Sequence, residues 1–363
     1  MNAIGHQIHE LDTPVLWVDL EIMERNIQLL ADFFSAAGVD WRPHTKGIKV
    51  PAIAHKAIEA GAIGVTCAKL SEAEVMAYAG IKDILIANQV IGTKKIQRLA
   101  NLCRQVNIKI AVDNELNIAE LGQIATQFDT EIDVLVEVNT GMDRAGVPPG
   151  PETVRISQLI TETAGLCYKG LMAWEGHAVG IEDPQLKRET VEAAVSILKE
   201  TTEMCQEAGL SVEIVSGGGS GTYKITSHLS GITEIQAGGA LFCDMSYQKW
   251  GVDTQPSIFV RSLVTSRPNP KRIIFDAGFK ALPAWGERMP TPIGISGFES
   301  FKASAEHGVV MLNAPENKIQ IGETFDFMLG YGDSTVFLHD MLYGVRQNVV
   351  EVAWLIHGRG KIH

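Results

Sequence analysis

Short apolar runs rich in valine and isoleucine alternate with longer amphipathic segments from about residue 20 to residue 245. Runs of about four to eight apolar residues bounded by turn-forming residues are typical of buried strands, and apolar positions three or four residues apart are typical of helices. The alternation predicts eight strands, at residues 39–42, 63–67, 84–87, 108–112, 134–138, 170–174, 212–216 and 234–237. Helices are predicted between them, at residues 48–60, 69–79, 93–105, 115–126, 151–164 and 185–208.

Eight parallel strands with interleaved helices over roughly 200 to 250 residues match the size of a (β/α)8 barrel. The alternative architecture is a doubly wound open sheet. A dinucleotide-binding sheet of that kind carries its glycines in the first turn between strand and helix. Here the glycine-rich segment follows the seventh predicted strand. The pattern therefore predicts an α/β fold with a TIM barrel over residues 20–248.

After about residue 250 the pattern changes to short alternating runs separated by proline, glycine and asparagine. Alternation with a period of two is typical of antiparallel strands. The runs lie at residues 257–264, 272–275, 309–312, 324–328 and 349–355. An extended segment at residues 14–19 precedes the first barrel helix and can pair into the same sheet. We therefore expect a second, antiparallel β domain built from residues 1–19 and 249–363.

Composition narrows the class of protein. The chain has 363 residues, 45% of them hydrophobic, and a net charge of -12. Such a chain can bury a large core, and its acidity and lack of a basic stripe make nucleic acid an unsuitable partner. No apolar run reaches the roughly 18 residues of a membrane-spanning helix, and residues 1–14 lack the apolar core of a signal peptide. We expect a cytoplasmic protein that acts on small molecules, with no membrane partner.

The five cysteines are odd in number and widely spaced, and no two of them form a CxxC pair. This pattern argues against a disulfide framework and against a zinc ribbon. We expect reduced, buried thiols at Cys67, Cys103, Cys167, Cys205 and Cys243.

A lysine stands directly after the first predicted barrel strand, in the segment Arg-Pro-His-Thr-Lys at residues 42–46. A lysine amine in that place can form a Schiff base with the aldehyde of pyridoxal phosphate (PLP), whose ring stabilises carbanions. The alternative is an ordinary solvated lysine, because most lysines are exposed. Lys46 is therefore a candidate that needs support from the rest of the chain.

That support comes from two glycine-containing loops. Residues 216–223 follow the seventh predicted strand, and residues 236–239 follow the eighth. Glycines let backbone N–H groups converge on an anion, and the loops after strands seven and eight form the common phosphate site of TIM barrels. Ser220 and Thr222 add hydroxyl donors. The alternative for either loop is a flexible turn, but the pair favours a phosphate site.

Two more segments lie at predicted carboxyl ends of strands, where barrel active sites are found. Arg144 follows the fifth strand and can stabilise negative charge on an aromatic ring, although it can instead form a surface ion pair with Asp143 or Glu137. Trp174 and His177 follow the sixth strand and offer an aromatic face and a titratable imidazole. Either of these two side chains can also be purely structural.

With these motifs the chain resembles the fold-type III PLP enzymes, and within them the D-threonine aldolase and D-serine dehydratase-like family. The resemblance covers nearly the whole chain, and the order of its markers is more specific than any one of them. It implies an alanine racemase-like N-terminal barrel, a C-terminal D-serine dehydratase-like β domain and a homodimer. The markers lie at residues 11–14, 42–46, 67–74, 141–147, 219–223, 233–238, 276–280, 305–308 and 338–340.

The resemblance also implies a set of site residues. Lys46 would hold PLP, Arg144 would face the ring oxygen, and both are expected in catalysis together with His177. The phosphate is expected at Gly219, Ser220, Gly221, Thr222, Gly238 and Gly239, and the ring pocket at His44, Gln89, Trp174 and Tyr223. Trp174 stands where the family commonly has tyrosine, and Asn139 where it often has aspartate.

The largest departure from the family concerns metal. D-threonine aldolases and D-serine dehydratases hold a divalent cation with a His-x-Cys or His-x-Asp pair just before the Leu-His-Asp marker. Here the pair is Tyr331 and Asp333. Asp333 offers a hard oxygen suited to Mg or Mn, whereas tyrosine, with an ordinary pKa near 10, is a poor ligand at pH 7. A bound cation is left open, with Asp333 as its best ligand.

The expected function is that of a PLP-dependent lyase acting on β-hydroxy D-amino acids. Retro-aldol cleavage to glycine and an aldehyde is favoured slightly over D-serine dehydratase-type elimination to a 2-oxo acid and ammonia. Lys46, once released, is a plausible base for the α-proton in the second reaction. An amino-acid racemase on the same scaffold and a non-catalytic PLP-binding protein are further alternatives.

Overall fold

The computed structural model describes residues 3–284 and 286–363, which form two compact units. The barrel unit comprises Leu30–Lys46, Ile53–Gly238 and Lys361–His363. The β unit comprises Gly47–Ala52 and the described parts of Met1–Leu29 and Gly239–Gly360. The chain leaves the barrel unit directly after Lys46 and again directly after Gly238, so two predicted site segments lie at these crossings. The domain boundaries predicted at residues 20 and 248 stay a prediction.

The barrel unit is built on eight parallel strands. The chain first forms strand β1 (Val15–Asp19) and helix α1 (Leu20–Ala37) and then enters the barrel. The barrel strands are β2 (Asp40–Trp41), β3 (Val65–Cys67), β4 (Asp83–Ile86), β5 (Asn107–Val112), β6 (Ile132–Glu137), β7 (Leu166–Met172), β8 (Ile214–Gly217) and β9 (Glu234–Ile235). All eight predicted strands are present, with bounds shifted by a few residues.

The sheet closes into a barrel. Its order is β2-β9-β8-β7-β6-β5-β4-β3, so β2 and β3 stand at the two ends of the order. A bridge between His44 and Thr66 joins these ends. The Ile63 N–H also donates to the Trp41 carbonyl at 2.9 Å. This closure confirms the (β/α)8 barrel and rules out the doubly wound sheet.

Helices connect the barrel strands. Their apolar faces pack against the outside of the sheet, which stabilises both layers. Asn114 and Asp183 accept backbone N–H groups at the starts of two of them, and proline is the first residue of three, as expected for helix starts. The helices are α2 (Pro51–Glu59), α3 (Leu70–Tyr78), α4 (Thr93–Cys103), α5 (Glu115–Gln127), α6 (Pro151–Glu162), α7 (Pro184–Glu207) and the short α8 (Tyr223–Thr226).

The β unit contains a mostly antiparallel sheet, the part of α1 up to Leu29 and the short helix α9 (Met245–Lys249). Its strands are β10 (Ile258–Asn269), β11 (Arg272–Phe275), β12 (Thr291–Pro292), β13 (Phe298–Ala303), β14 (Gly308–Leu312), β15 (Thr324–Met328), β16 (Met341–Arg346) and β17 (Val349–Leu355). The path runs β13-β14-β11-β10-β1-β16-β17, and β15 pairs with β10 and β12. Strand β1 pairs antiparallel with β10, which confirms the predicted pairing of residues 14–19.

Two details differ from the expected pattern. The β1–β16 pair is parallel, and β13, β16 and the two-residue β12 were not predicted as strands. Lys302 and Glu299 leave β13 with a weak apolar alternation, and Gly344 interrupts β16, where a Cβ would lie 2.6 Å from the Val352 side chain. Glycine in a strand weakens its sequence signal, although close packing requires it here.

All five cysteines are free thiols, as predicted. Cys67, Cys205 and Cys243 are buried, whereas Cys103 and Cys167 are only half-buried, which corrects the expectation for these two. Burial raises the pKa of the Cys103 thiol to about 12. None of the helices in the described residues combines the length and apolar character that crossing a lipid bilayer requires.

Candidate active site

Lys46 lies in a tight turn that begins three residues after β2 and spans Thr45–Gly47. The buried Thr45 hydroxyl lies 2.7 Å from Glu72 Oε1 and 3.1 Å from the Thr66 carbonyl oxygen. The Lys46 N–H donates to His44 Nδ1 at 3.3 Å. The half-buried lysine therefore starts from a backbone that its neighbours hold in place.

A buried ion network lies beneath this turn. Arg42 is 2% exposed, and its Nε donates to Glu234 Oε2 at 2.9 Å while Nη1 donates to Asp83. Lys109 Nζ approaches Asp83 at 3.0 Å. Burial alone lowers the pKa of Arg42, but Glu234 and Asp83 outweigh it and raise the pKa. The network joins β2, β4, β5 and β9 four residues before Lys46.

The glycine loop after β8 is organised by Glu175, a buried residue just after β7. The hydroxyls of Thr222 and Thr226 donate to Glu175 Oε1 at 2.7 and 2.5 Å, and the Gly218 N–H donates to Oε2 at 3.3 Å. A carboxylate is thus surrounded by three donors from the loop and helix α8. This arrangement fixes the loop and turns two of its hydroxyls away from solvent.

The loops after β8 and β9 offer backbone donors for an anion. Among the described residues, the N–H groups of Gly221 and Gly238 have no protein acceptor, and Gly238 is buried. A buried N–H without an acceptor is costly unless a ligand or water satisfies it. A phosphate fits such a cradle, so the loop residues present are suited to PLP.

Gly238 also has a packing role. A Cβ at this position would lie 2.1 Å from the His44 carbonyl oxygen and 2.6 Å from its nitrogen. Only glycine lets the loop after β9 approach the backbone that leads to Lys46. This close packing requires glycine at position 238 whether or not a ligand binds. The Gly238 N–H group takes no part in the packing.

The indole of Trp174 packs between two glycines. A Cβ on Gly219 would lie 2.4 Å from the far edge of the ring, and a Cβ on Gly176 would lie 2.4 Å from Nε1. The bulkier tryptophan, in place of the family's tyrosine, therefore fits because both neighbours lack side chains. The ring is half-buried beside the glycine loop.

Arg144 and Gln89 meet at one carboxylate. Gln89 Nε2 donates to Glu137 Oε2 at 2.6 Å, and Arg144 Nη2 lies 3.7 Å from Glu137 Oε1. Glu137 is buried at the end of β6, whereas the Arg144 side chain is 56% exposed. The ion pair that was the alternative for Arg144 is present, and it orients the guanidinium at the rim of a small pocket that Trp174 also lines.

The loop that carries Arg144 is shaped by Asn139. Its side-chain oxygen accepts the N–H groups of Gly141 and Asp143, each at 3.1 Å. Gly141 has a φ of +116° and faces the His177 ring, which lies 3.3 Å from where a Cβ would stand. His177 itself is exposed, so the structure brings it to the loop but does not bury it.

Tyr223 lies in an aromatic cluster. Its ring contacts Phe33 and Phe34 edge-on, at centroid distances of 5.0 and 5.6 Å. The ring is buried and its packing secures the start of α8. Its predicted place in the cofactor pocket stays a prediction.

In the β unit, Asp333 packs against the residue that follows Lys46. A Cβ on Gly47 would lie 2.3 Å from Asp333 Oδ1. The Tyr331 hydroxyl donates to Asp333 Oδ2 at 2.9 Å. The fully buried Asp244 accepts the Gly332 N–H at 2.6 Å and also caps α9 by accepting the N–H of Ser246 at 2.9 Å. The Tyr-Gly-Asp segment is therefore held at each of its three residues.

Aromatic rings and one arginine surround Tyr331. The Arg288 guanidinium lies 4.2 Å from the Tyr331 ring centroid and 5.4 Å from that of Trp250. Gly239 is the first residue of the β unit after Gly238. A Cβ added to it would lie 2.0 Å from the Tyr247 ring. Burial first, and then the charge of Asp333, raise the pKa of Tyr331. Tyr331 is therefore a neutral phenol.

These donors do not fit a divalent cation. Tyr331 keeps its proton and directs it at Asp333, so one carboxylate is the only anionic ligand that the pair supplies. Divalent Mg and Mn prefer several oxygen ligands. In the part of the chain that the structure describes, the one cluster of three potential ligands is Glu131, Asp133 and Cys167, which lies elsewhere, in the barrel unit.

Sequence reasoning missed the residues that hold the predicted ones in place. They are buried acids whose partners are distant in sequence, so spacing does not reveal them. Only their position after strands, or within a recognised marker, offered a signal. They are Glu72, Glu175 and Asp244, together with Arg288 beside Tyr331.

Two protein-family models match the chain. The first, described as "Alanine racemase, N-terminal domain", covers residues 18–246. The second, described as "Putative serine dehydratase domain", covers residues 257–345. Together they match the barrel and most of the β-rich remainder.

Individual proteins match over nearly the full length. D-threonine aldolase from Arthrobacter sp is 34% identical over 98% of this chain and 95% of its own. 3-hydroxy-D-aspartate aldolase from Paracoccus denitrificans (strain Pd 1222) is 31% identical over 98% and 94%. The crystal structure of D-threonine aldolase from Filomicrobium marinum superposes with a TM-score of 0.95 at 33% identity and covers 99% of both chains. The chain belongs to the D-threonine aldolase and D-serine dehydratase-like family of fold-type III PLP-dependent enzymes.

Proposed function

We propose that this protein is a PLP-dependent lyase that cleaves β-hydroxy D-amino acids to glycine and an aldehyde. The observation that carries the proposal is the match to D-threonine aldolase over 98% of the chain. The segment that leads to Lys46 supports it, because the His44 backbone packs against Gly238, whose buried N–H has no protein acceptor in the described residues. The second aldolase relative acts on a different β-hydroxy D-amino acid, so the proposal names the class of substrate rather than one member.

Lys46 and the glycine loops are the residues proposed to hold the cofactor. Lys46 supplies the amine, and the loop segment of Gly219, Ser220, Gly221 and Thr222, with Gly238 and Gly239, receives the phosphate. The N–H groups of Gly221 and Gly238 are its main donors, because the Thr222 hydroxyl already donates to Glu175. PLP, when bound, supplies an electron sink for the carbon that loses a bond. Glu175 keeps the first loop in its receiving shape through the three donors described above.

The remaining side chains orient the substrate and move protons. Arg144, held by Glu137, places positive charge at the rim of the pocket. We propose that the His177 imidazole accepts the β-hydroxyl proton. The Cα–Cβ bond then breaks, its electron pair stays with Cα, the β-carbon leaves as an aldehyde, and Cα takes a proton to give glycine. Trp174 forms an aromatic wall beside the glycine loop.

One incubation tests the reaction. Purified protein with PLP and D-threonine should yield glycine and acetaldehyde in equal amounts, and L-threonine should yield neither. Lys46→Ala should abolish the products and the yellow colour of lysine-bound PLP, and borohydride reduction of the parent should leave a pyridoxyl label on the Lys46 peptide. A Lys46→Ala protein as yellow and as active as the parent would contradict the proposal.

Dehydration is the second candidate, because the C-terminal family model is described as a putative serine dehydratase domain. D-serine or D-threonine would then give a 2-oxo acid and ammonia, with Lys46 as the α-proton base. A change in optical rotation of alanine would instead indicate a racemase. A spectrum unchanged by every amino acid would indicate a non-catalytic PLP-binding protein, against which the presence of a full β unit argues.

We also propose that the enzyme is cytoplasmic and, as the family resemblance implies, a homodimer. One chain has a mass of 39.4 kDa. Light scattering on the eluted protein should give twice that mass, and a mass of one chain would contradict the dimer.

A further inference from the structure

The segment Tyr331-Gly332-Asp333 carries an inference that rests on the proposed lyase function and deepens it. We propose that this enzyme needs no resident divalent cation, because Tyr331 and Arg288 hold and balance Asp333 in place of a metal. Tyr331 and Arg288 are then positioning residues, and Asp333 is the group that they position.

The first support is the hydrogen bond within the pair. The Tyr331 hydroxyl donates to Asp333 Oδ2 at 2.9 Å. A carboxylate oxygen that accepts a hydrogen bond from a phenol is oriented by that bond, much as a metal–oxygen bond would orient the oxygen.

The second support is that the whole segment is fixed without an ion. Asp244 accepts the Gly332 N–H at 2.6 Å. The Tyr331 ring lies at centroid distances of 6.2 Å from Tyr247 and 6.1 Å from Trp250. Packing and hydrogen bonds thus restrict the ring, the peptide and the carboxylate, which is the work that a structural cation would otherwise do.

The third support is charge. The Arg288 guanidinium lies 4.2 Å from the Tyr331 ring centroid. Arginine is always protonated, and it interacts favourably with the face of an aromatic ring. A fixed positive charge therefore stands against the ring whose hydroxyl donates to Asp333, where it opposes the approach of a divalent cation.

The position of Asp333 relates the hydrogen bond from Tyr331 to the backbone at Gly47. Its second oxygen, Oδ1, packs against Gly47, the neighbour of Lys46 in the chain, so closely that no Cβ would fit between them. Orienting Oδ2 through Tyr331 therefore also sets Oδ1 against Gly47, the residue that follows Lys46 in the chain.

The wild-type protein tests the proposal directly. We expect fewer than about 0.1 equivalents of Mg, Mn or Zn per chain by elemental analysis, and no binding of Mn²⁺ in a titration followed by electron paramagnetic resonance. Prolonged EDTA treatment should leave D-threonine cleavage within about twofold of the untreated rate. One tightly bound ion per chain, or a tenfold loss restored by added metal, would overturn the proposal.

Variants separate replacement of a metal from a merely structural role. Tyr331→His supplies an imidazole two residues from Asp333, and we expect it to bind Mn²⁺ at least tenfold more tightly than the parent. The double variant with Asp333→Ala should lose that gain. Tyr331→Phe keeps the ring but loses the hydroxyl, and we expect about a tenfold lower kcat with unchanged KM and no gain in Mn²⁺ affinity.

Two outcomes in the variants would count against the proposal. The first is Tyr331→Phe with the kcat of the parent. The second is Mn²⁺ binding by the parent as tight as by Tyr331→His. The metal measurements need no substrate, so they remain informative if the enzyme proves to be a dehydratase or a racemase. Failure of the proposed function and failure of metal independence are therefore distinguishable.

Discussion

Gly47 shows how much the site depends on one missing side chain. Its would-be Cβ lies 2.3 Å from Asp333 Oδ1, a separation that no real pair of atoms tolerates. Glycine lets the turn that carries Lys46 and the oriented carboxylate lie in contact. A methyl group here must move one of them.

We expect Gly47→Ala to lower kcat/KM by at least about tenfold, because misplacement of a reacting group by about 1 Å can cost as much as a hundredfold. Steady-state kinetics with D-threonine measure the effect. Gly180→Ala is the matched control, since no atom lies within 4 Å of its would-be Cβ. Equal kinetics for both variants would show that Asp333 moves aside freely.

His339 belongs to a marker of the family resemblance, and the structure gives it a structural role. Its Nε2 lies 2.8 Å from the Ala281 carbonyl oxygen. Burial lowers the pKa of this histidine, although the Ala281 carbonyl and Asp340 oppose the shift and Arg359 adds to it. The imidazole therefore resists protonation in the folded protein more than in the unfolded chain.

A lowered folded-state pKa means that the unfolded chain binds the proton first as the pH falls. His339 thus contributes stability above its unfolded pKa of about 6.5, and the contribution is lost as the pH falls through the lower folded value. We expect His339→Gln, which keeps an N–H donor for Ala281, to flatten the loss of stability below pH 6.5. Urea unfolding of both proteins from pH 7.5 to 5 measures this, and parallel curves would contradict it.

Residue type reveals chemistry but not partners. Lys46, Arg144 and the loop glycines could be selected from the sequence because their types and positions after strands suggest a function, and their roles at a cofactor stay predictions. Glu137 could be named as a partner of Arg144 because it is near in sequence, but the distant partners could not be selected. Thr45 meets Glu72 across 27 residues and Arg42 meets Glu234 across 192, and no spacing rule predicts such contacts.

Among the elements, the barrel strands were the most predictable because both of their faces are buried. Ile110, Val134 and Val136 are fully buried, so β5 and β6 appear as continuous apolar runs. Strands β13 and β16 were missed because exposed charges and Gly344 obscure their alternation. Strands β2 and β9 have only two residues each, so they are shorter than predicted. Hydrogen bonding to the neighbouring strands decides where such short strands end, and the sequence does not show it.

The loop after β8 acts as one element with Glu175. Changing the carboxylate to an amide removes the negative charge and one of the two oxygens that Thr222, Thr226 and the Gly218 N–H share. Hydrogen bonds to a charged group contribute about 1.5–3 kcal/mol each to the folded arrangement. The loop should loosen when the carboxylate becomes an amide.

We expect Glu175→Gln to raise the dissociation constant for PLP by about tenfold, which corresponds to about 1.4 kcal/mol. Absorbance titration of cofactor-free protein measures the constant. Glu182→Gln, on an exposed glutamate nearby in sequence, is the control that should leave it unchanged. Equal constants for the two variants would show that the loop does not depend on Glu175.

At the scale of the whole molecule, one pair of neighbouring barrel strands is joined by fewer hydrogen bonds than the others. Seven neighbouring pairs of strands share ladders, but β2 and β3 are joined through an isolated bridge and single hydrogen bonds in the described residues. The buried network of Arg42, Asp83, Lys109 and Glu234 spans the strands on both sides of this seam. We infer that the network secures the closure on which the position of Lys46 depends.

Replacing Arg42 tests that inference. In Arg42→Met, Asp83 keeps Lys109 as a partner, but Glu234 stays buried without its cation, and its Oε1 already lacks a hydrogen-bond partner among the described residues. Removing one partner of a buried ion pair costs about 3–5 kcal/mol. Urea unfolding should show this loss, and Arg42→Met combined with Glu234→Gln should recover part of it because no unpaired charge remains. If the single variant matched the parent, the seam would be held by backbone contacts alone, and the conformation of the Lys46 turn would not depend on the ions beneath it.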